Sequence, residues 1–169
     1  GAIELPGLGV VRLPSAIAAA LTVFWICGFV NLFNFMDGID GLAAWHAAIF
    51  GLFLGVLAHE PLVFIAAAAA SGFLVFNAPP ARIFMGDSGS YLMGSLLAVC
   101  AVRGNERVPF PVFILIFGVF IADTFVTLLR RMRAGESWHD AHRSHYYQRL
   151  GDLGWGHRRV TCLYELLSL

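Results

Sequence analysis

No lysine occurs in this sequence: all eleven basic residues are arginine, and eleven acidic residues balance them. A net charge of zero leaves no field to draw the chain to nucleic acid, so no nucleic-acid partner is expected. Charge of either sign is scarce, at 13% of residues, against about 25% in ordinary soluble domains. Cysteine is scarce as well. Cys27, Cys100 and Cys162 are odd in number and far apart, which excludes a disulfide framework or zinc-knuckle spacing. Disorder, collagen-like repeats and coiled-coil heptads are excluded on the same grounds. What is present is apolar: 59% of residues are hydrophobic and the mean hydropathy is +0.75. One buried core cannot absorb that excess. The composition predicts an integral membrane protein, all-α, with residues 1–169 forming a single membrane region. The opening GAIELPGLG has neither a Met nor a basic leader, and the end falls a few residues into a new apolar run. Both ends predict a piece of a longer protein.

A helix crossing the hydrocarbon layer needs about 20 mostly apolar residues. Five runs meet or approach that length: Pro14–Phe35, Gly41–Ala58, Pro61–Phe76, Ser90–Val102 and Pro109–Leu129, with a sixth starting near Val160. The expected architecture is a polytopic transmembrane helix bundle. The run Ala66–Ala70, followed by Ser71 and Gly72, is rich in small residues that let helices approach closely in lipid. Alternating the spans puts segments 36–40, 77–89 and 130–159 on one side, with eight of the eleven arginines, against three on the other. By the positive-inside rule the first side is cytoplasmic. Asp37, Asp40, Asp87, His139, Asp140, His142, His145 and His157 all fall on it.

The first of these segments reads NLFNFMDGIDGLA. Asn31, Asn34, Asp37 and Asp40 recur every three residues, a step that turns about 300° in a helix. Neighbouring members share a face, whereas Asn31 and Asp40 do not. Gly38 and Gly41 allow a break at which the backbone approaches a ligand. Two carboxylates beside two amides are hard oxygen ligands of the kind Mg²⁺ prefers. The plainer alternative makes Asp40 the N-cap of the next helix. The second segment reads NAPPARIFMGDSGS. Asp87 there is either an N-cap or a carboxylate holding a cation on a phosphate that the helix N-terminus attracts. The third contains HDAHRSHYYQRLGDLGWGHRR. His142 and His145 share a helix face, and Arg143 and Arg149 are bidentate phosphate donors. A transition-metal site and contact with anionic headgroups are the alternatives. Asp123, inside the apolar run FGVFIADTFVTLLRR, is costly in lipid and therefore either functional or paired near the helix end. His46 reads as a hydrogen-bonded packing residue.

NLFNFMDGIDGLA, FMGDSGSYLMG and HDAHRSHYYQRL, in this order, resemble the polyprenyl-phosphate N-acetylhexosamine-1-phosphate transferases of glycosyl transferase family 4, most closely the members that initiate O-antigen. The resemblance implies a multi-pass enzyme of the bacterial inner (cytoplasmic) membrane with its active site facing the cytoplasm. Using Mg²⁺, or Mn²⁺, it would join a UDP-N-acetylhexosamine to undecaprenyl phosphate and release UMP, for lipopolysaccharide or related envelope synthesis. Asp87 then corresponds to the metal-binding Asp, and Asp37, Asp40, His142 and His145 to catalytic positions. Asn34, Asn77, Arg143 and Arg149 correspond to substrate-binding positions. The family's adjacent Asp pair is absent here, which implies that the chain is the C-terminal half, with the N-terminal half as partner and no activity alone. Two rivals are a CDP-alcohol phosphatidyltransferase, which requires an Arg that DGIDGLAAW lacks, and a secondary transporter, which requires ionisable groups along a path across the membrane.

Overall fold

A computed structural model describes residues 2–5, 9–136 and 144–168. Among these, a short antiparallel hairpin precedes eight helices. Strands β1 (Ala2–Leu5) and β2 (Gly9–Arg12) pair with Ala2 opposite Arg12. The helices are α1 (Ser15–Phe35), α2 (Leu42–Ala58), α3 (Pro61–Asn77), α4 (Gly86–Gly104), α5 (Phe110–Ile116), α6 (Gly118–Arg133), α7 (Tyr146–Asp152) and α8 (His157–Ser168). The apolar runs locate the first three helices to within one residue. Proline supplies the punctuation, at the N-cap of α1 and at the first position of α3, where its missing N–H has no helical partner to lose.

Three expectations change. The fourth helix starts at Gly86, so GDSG is its first turn rather than a loop before it. The run 109–129 is not one straight span: α5 and α6 meet at Phe117 with a bend of 74°. The chain also carries the two short strands, so it is mainly rather than wholly helical. Among the described helices, α1 alone is long and apolar enough to cross a membrane by itself, and the bent α5–α6 pair qualifies as a second candidate. Helices α2 and α3, at 17 residues each, sit at the lower limit of about 17–25 for a span.

The outward faces are nonetheless apolar. Phe24 is 78% exposed, and Val23, Ile65, Val75, Leu115 and Phe125 are also open. So extended an apolar surface is that of helices facing lipid or further helices. Inside, the packing is aromatic and close. Phe29 meets Phe117 edge-on at 4.7 Å, and His46 stacks on Phe120 at 3.8 Å. His46 is fully buried in this packing, as expected, but its Nδ1, 3.4 Å from Glu165 Oε1, does not make the hydrogen bond that the sequence reading also expects. The alanine run behaves as expected. Ala66, Ala67 and Ala70 are buried, and a Cβ on Gly51 of α2 would come within 3.2 Å of Ala67 Cβ.

Candidate active site

A cavity of about 220 Å³ opens at the end of the bundle where α1 hands over to α2 and α3 to α4. Asn34, Asp37, Asp40, Asn77, Phe84 and Asp87 contribute to its wall. Helix α1 ends at Phe35, and the chain turns through Asp37 and Asp40 before α2 begins. Gly41, at φ +81°, supplies the left-handed turn that starts α2. This geometry also answers the capping alternative, because Gly41 rather than Asp40 occupies the N-cap and no side chain caps the helix. Asp87 is not a cap either; Met85 holds that position and Asp87 lies in the first turn of α4, where the helix dipole favours a carboxylate.

The two Asp-bearing segments are tied together. Asn34 donates to Asp87 Oδ1 at 3.0 Å and to Ser90 Oγ at 2.8 Å. Asn77 accepts the Gly41 N–H at 3.1 Å and donates to the Ile83 carbonyl at 3.0 Å, so both ends of its amide hold backbone around the cavity. Asp40 Oδ2 accepts the Ala81 N–H at 3.0 Å. Asn31, by contrast, turns back to the Cys27 carbonyl and takes no part, as the helical spacing requires.

Burial pushes the Asp37 carboxyl up to about 7; the negative charge of Asp87 adds to that rise, and a hydrogen bond from the Gly86 backbone opposes it. Two carboxylates that share a partly desolvated cavity repel each other until a cation lies between them. Among the described residues no three His, Cys, Asp or Glu side chains converge as a metal cage. A pair of carboxylates with an amide oxygen nearby instead fits Mg²⁺, which keeps several waters and takes one or two protein carboxylates together with substrate phosphate.

The third segment divides. His142 and Arg143 lie outside the described residues. His145 is 2% exposed and directed at Asp123, with Nδ1 3.3 Å from Oδ1, and it does not line the cavity. Arg149 is exposed on α7 and is likewise outside the lining. Sequence reasoning placed His157 on this face without a role. The structure brings its Nδ1 to 3.2 Å from Asp40 Oδ1 and 3.3 Å from the Asp40 backbone nitrogen. A protonated ring donates to the carboxylate, whereas a bare Nδ1 accepts the amide N–H. Thr161, one turn along α8, donates to the Asp40 carbonyl. No local pattern announces a contact across 117 residues; the one signal was a histidine beside two arginines at the start of an apolar run.

Known proteins provide an independent comparison. The profile of glycosyl transferase family 4 matches residues 2–105. The chain is 32% identical to the decaprenyl-phosphate N-acetylglucosaminephosphotransferase of Mycobacterium tuberculosis (strain CDC 1551 / Oshkosh), over 97% of this chain and 48% of that protein. It is 34% identical to the probable undecaprenyl-phosphate N-acetylglucosaminyl 1-phosphate transferase of Bacillus subtilis, over 89% of this chain and 45% of that protein. It is 35% identical to the phospho-N-acetylmuramoyl-pentapeptide-transferase of Oceanobacillus iheyensis, over 89% and 48%. The chain spans about half the length of these curated relatives.

Proposed function

Because the chain belongs to glycosyl transferase family 4, we propose that its protein transfers an N-acetylhexosamine 1-phosphate from a UDP-sugar to undecaprenyl phosphate, releasing UMP. The observation that carries this reading is the pairing of Asp37 and Asp87 in one cavity, with Asn34 bonded to Asp87. In such a reaction an oxygen of the lipid phosphate attacks the phosphorus that bears the sugar. A new pyrophosphate bond forms to the lipid, the original one breaks, and its electron pair leaves with UMP. Both reactants are anions, so charge must be neutralised and the phosphates aligned. Bound Mg²⁺ supplies that neutralisation as a Lewis acid. Asp87 and Asp37 would hold it, and Asn34 fixes the orientation of Asp87. Asn77 holds Gly41 and the 77–83 turn so that the cavity keeps its shape. His142 and Arg143 enter the proposal from the resemblance, as donors to the phosphates, together with Arg149. We assign the cavity to the cytoplasmic face of a bacterial inner membrane, and the pathway to O-antigen or related envelope polysaccharide. The N-terminal half that the resemblance implies is the proposed partner of the site.

Membranes carrying the whole protein should transfer labelled sugar phosphate from the UDP-sugar to undecaprenyl phosphate. Asp87→Asn should lower turnover by roughly a hundredfold or more, because the shape remains and the charge does not, while insertion is unchanged. Near-normal transfer by Asp87→Asn across a Mg²⁺ titration would overturn the assignment. Accumulation of the sugar nucleotide inside sealed vesicles, without lipid product, would favour a transporter.

A further inference from the structure

Asp123 is the carboxylate that the cavity leaves unexplained. It lies on α6, is 5% exposed, and accepts four hydrogen bonds, with a histidine nitrogen as a fifth polar neighbour. Thr127 Oγ1 donates at 3.1 Å, the backbone N–H groups of Tyr146 and Tyr147 at 2.9 and 3.3 Å, and the Tyr164 hydroxyl at 2.5 Å; His145 Nδ1 is 3.3 Å away. These partners come from α6, from the start of α7 and from α8. A carboxylate has about four acceptor sites, and here they are filled. Asp123 therefore has no capacity left for a cation or a substrate. What it does is fix the turn 145–147 against α6 and α8.

Tyr147 carries that fixation to the acidic loop. Its side chain is fully buried, and its hydroxyl donates to the Phe35 carbonyl at 2.8 Å. The same hydroxyl fills the space that a Cβ on Gly38 would occupy. Phe35 and Gly38 bracket Met36 and Asp37, so the tyrosine presses on both sides of the residue that faces Asp87. Resting on the transferase reading of this cavity, we propose that Asp123, acting through Tyr147, is a positioning residue. It sets loop 36–41, and with it the Asp37 carboxylate, for phosphoryl transfer.

The test uses the whole protein in nanodiscs. Tyr147→Phe keeps the ring and removes only the hydroxyl, so folding is preserved; Asp123→Asn keeps the shape and removes the charge. Both should raise amide hydrogen exchange in residues 36–41 by roughly tenfold while leaving α2 and α3 unchanged. Both should lower kcat by roughly tenfold with KM for the UDP-sugar within about twofold, since misplacement by a fraction of an ångström acts on the transition state more than on binding. A merely structural role would instead raise exchange throughout and lower the amount of folded protein without a selective loss of kcat. Unchanged exchange in 36–41 for Tyr147→Phe overturns the proposal, as does faster exchange with kcat within twofold of wild type. If the wild type makes no lipid product, the transferase reading fails separately, and the exchange data still decide whether this strut holds the loop.

Discussion

At the scale of single residues, Asp37 carries the sharpest consequence. Its carboxyl is pushed up to about 7 in the fold, whereas an unfolded chain ionises near 4. Between those two values unfolding releases a proton. The fold is therefore favoured below about pH 4, loses stability as pH rises to about 7, and keeps the deficit above that. Asp37→Asn removes the deficit. With chelator at pH 8 its Tm should exceed that of wild type by roughly 4 °C or more, and at pH 4 the two should coincide. On the proposed Mg²⁺ assignment, added Mg²⁺ should close the gap by raising the wild type through its ionised carboxylate, and should move the Asn variant little. Thermal scans at the two pH values check both halves, and a gap that persists at pH 4 would place its cause outside this carboxyl. Residues also show what a motif conveys. Asn34, Asp37 and Asp87 were legible because their spacing and chemistry are local. The contacts of Tyr147 and His157 were not, because each is made to a partner more than a hundred positions away.

Among elements, the apolar runs told most where length and punctuation agreed. They failed where composition is blind to direction. Residues 109–122, on either side of the break, carry no polar side chain, so no periodicity marks the 74° bend at Phe117. The start of α4 was missed because Gly-Asp-Ser-Gly has turn propensity, while tertiary packing and the Asn34–Asp87 bond carry it into the helix. Two glycines separate tolerance from intolerance. A Cβ on Gly118, at the bend, meets nothing within 4 Å, so Gly118→Ala should leave Tm and turnover close to wild type. At Gly51 the neighbouring helix is already in contact, and Gly51→Leu should part α2 from α3, costing about 1–3 kcal/mol or more. Unfolding in mixed micelles measures both, and equal effects would mean that α3 yields at Gly51 without cost.

For the whole molecule, the arginine asymmetry predicted that three distant segments share one face, and the structure joins them. Asp40 touches Ala81 from the second segment and His157 from the third, and Tyr147 reaches Phe35 in the first. Arg103 and Arg107 meet the α2–α3 connection, at Glu60 and at the Ala58 carbonyl. With Cys27, Cys100 and Cys162 replaced, a cysteine at 84 should be protected from impermeant reagent outside intact cells, and one at 105 should react. The reverse pattern would put the cavity on the outer face.

The bond between Asn34 and Asp87 spans 53 positions, and α1 leans on α4 where Gly94 approaches Val30 and Phe33. Ribosomes add about 5–20 residues per second. For roughly 3–10 s after Asn34 is made, its partner does not yet exist. Helices α2 and α3, joined by a two-residue connection, can pair at once. During biosynthesis α1 therefore waits beside them with its polar end unsatisfied, and the acidic loop cannot take its final form before α4, and after it Tyr147, arrives.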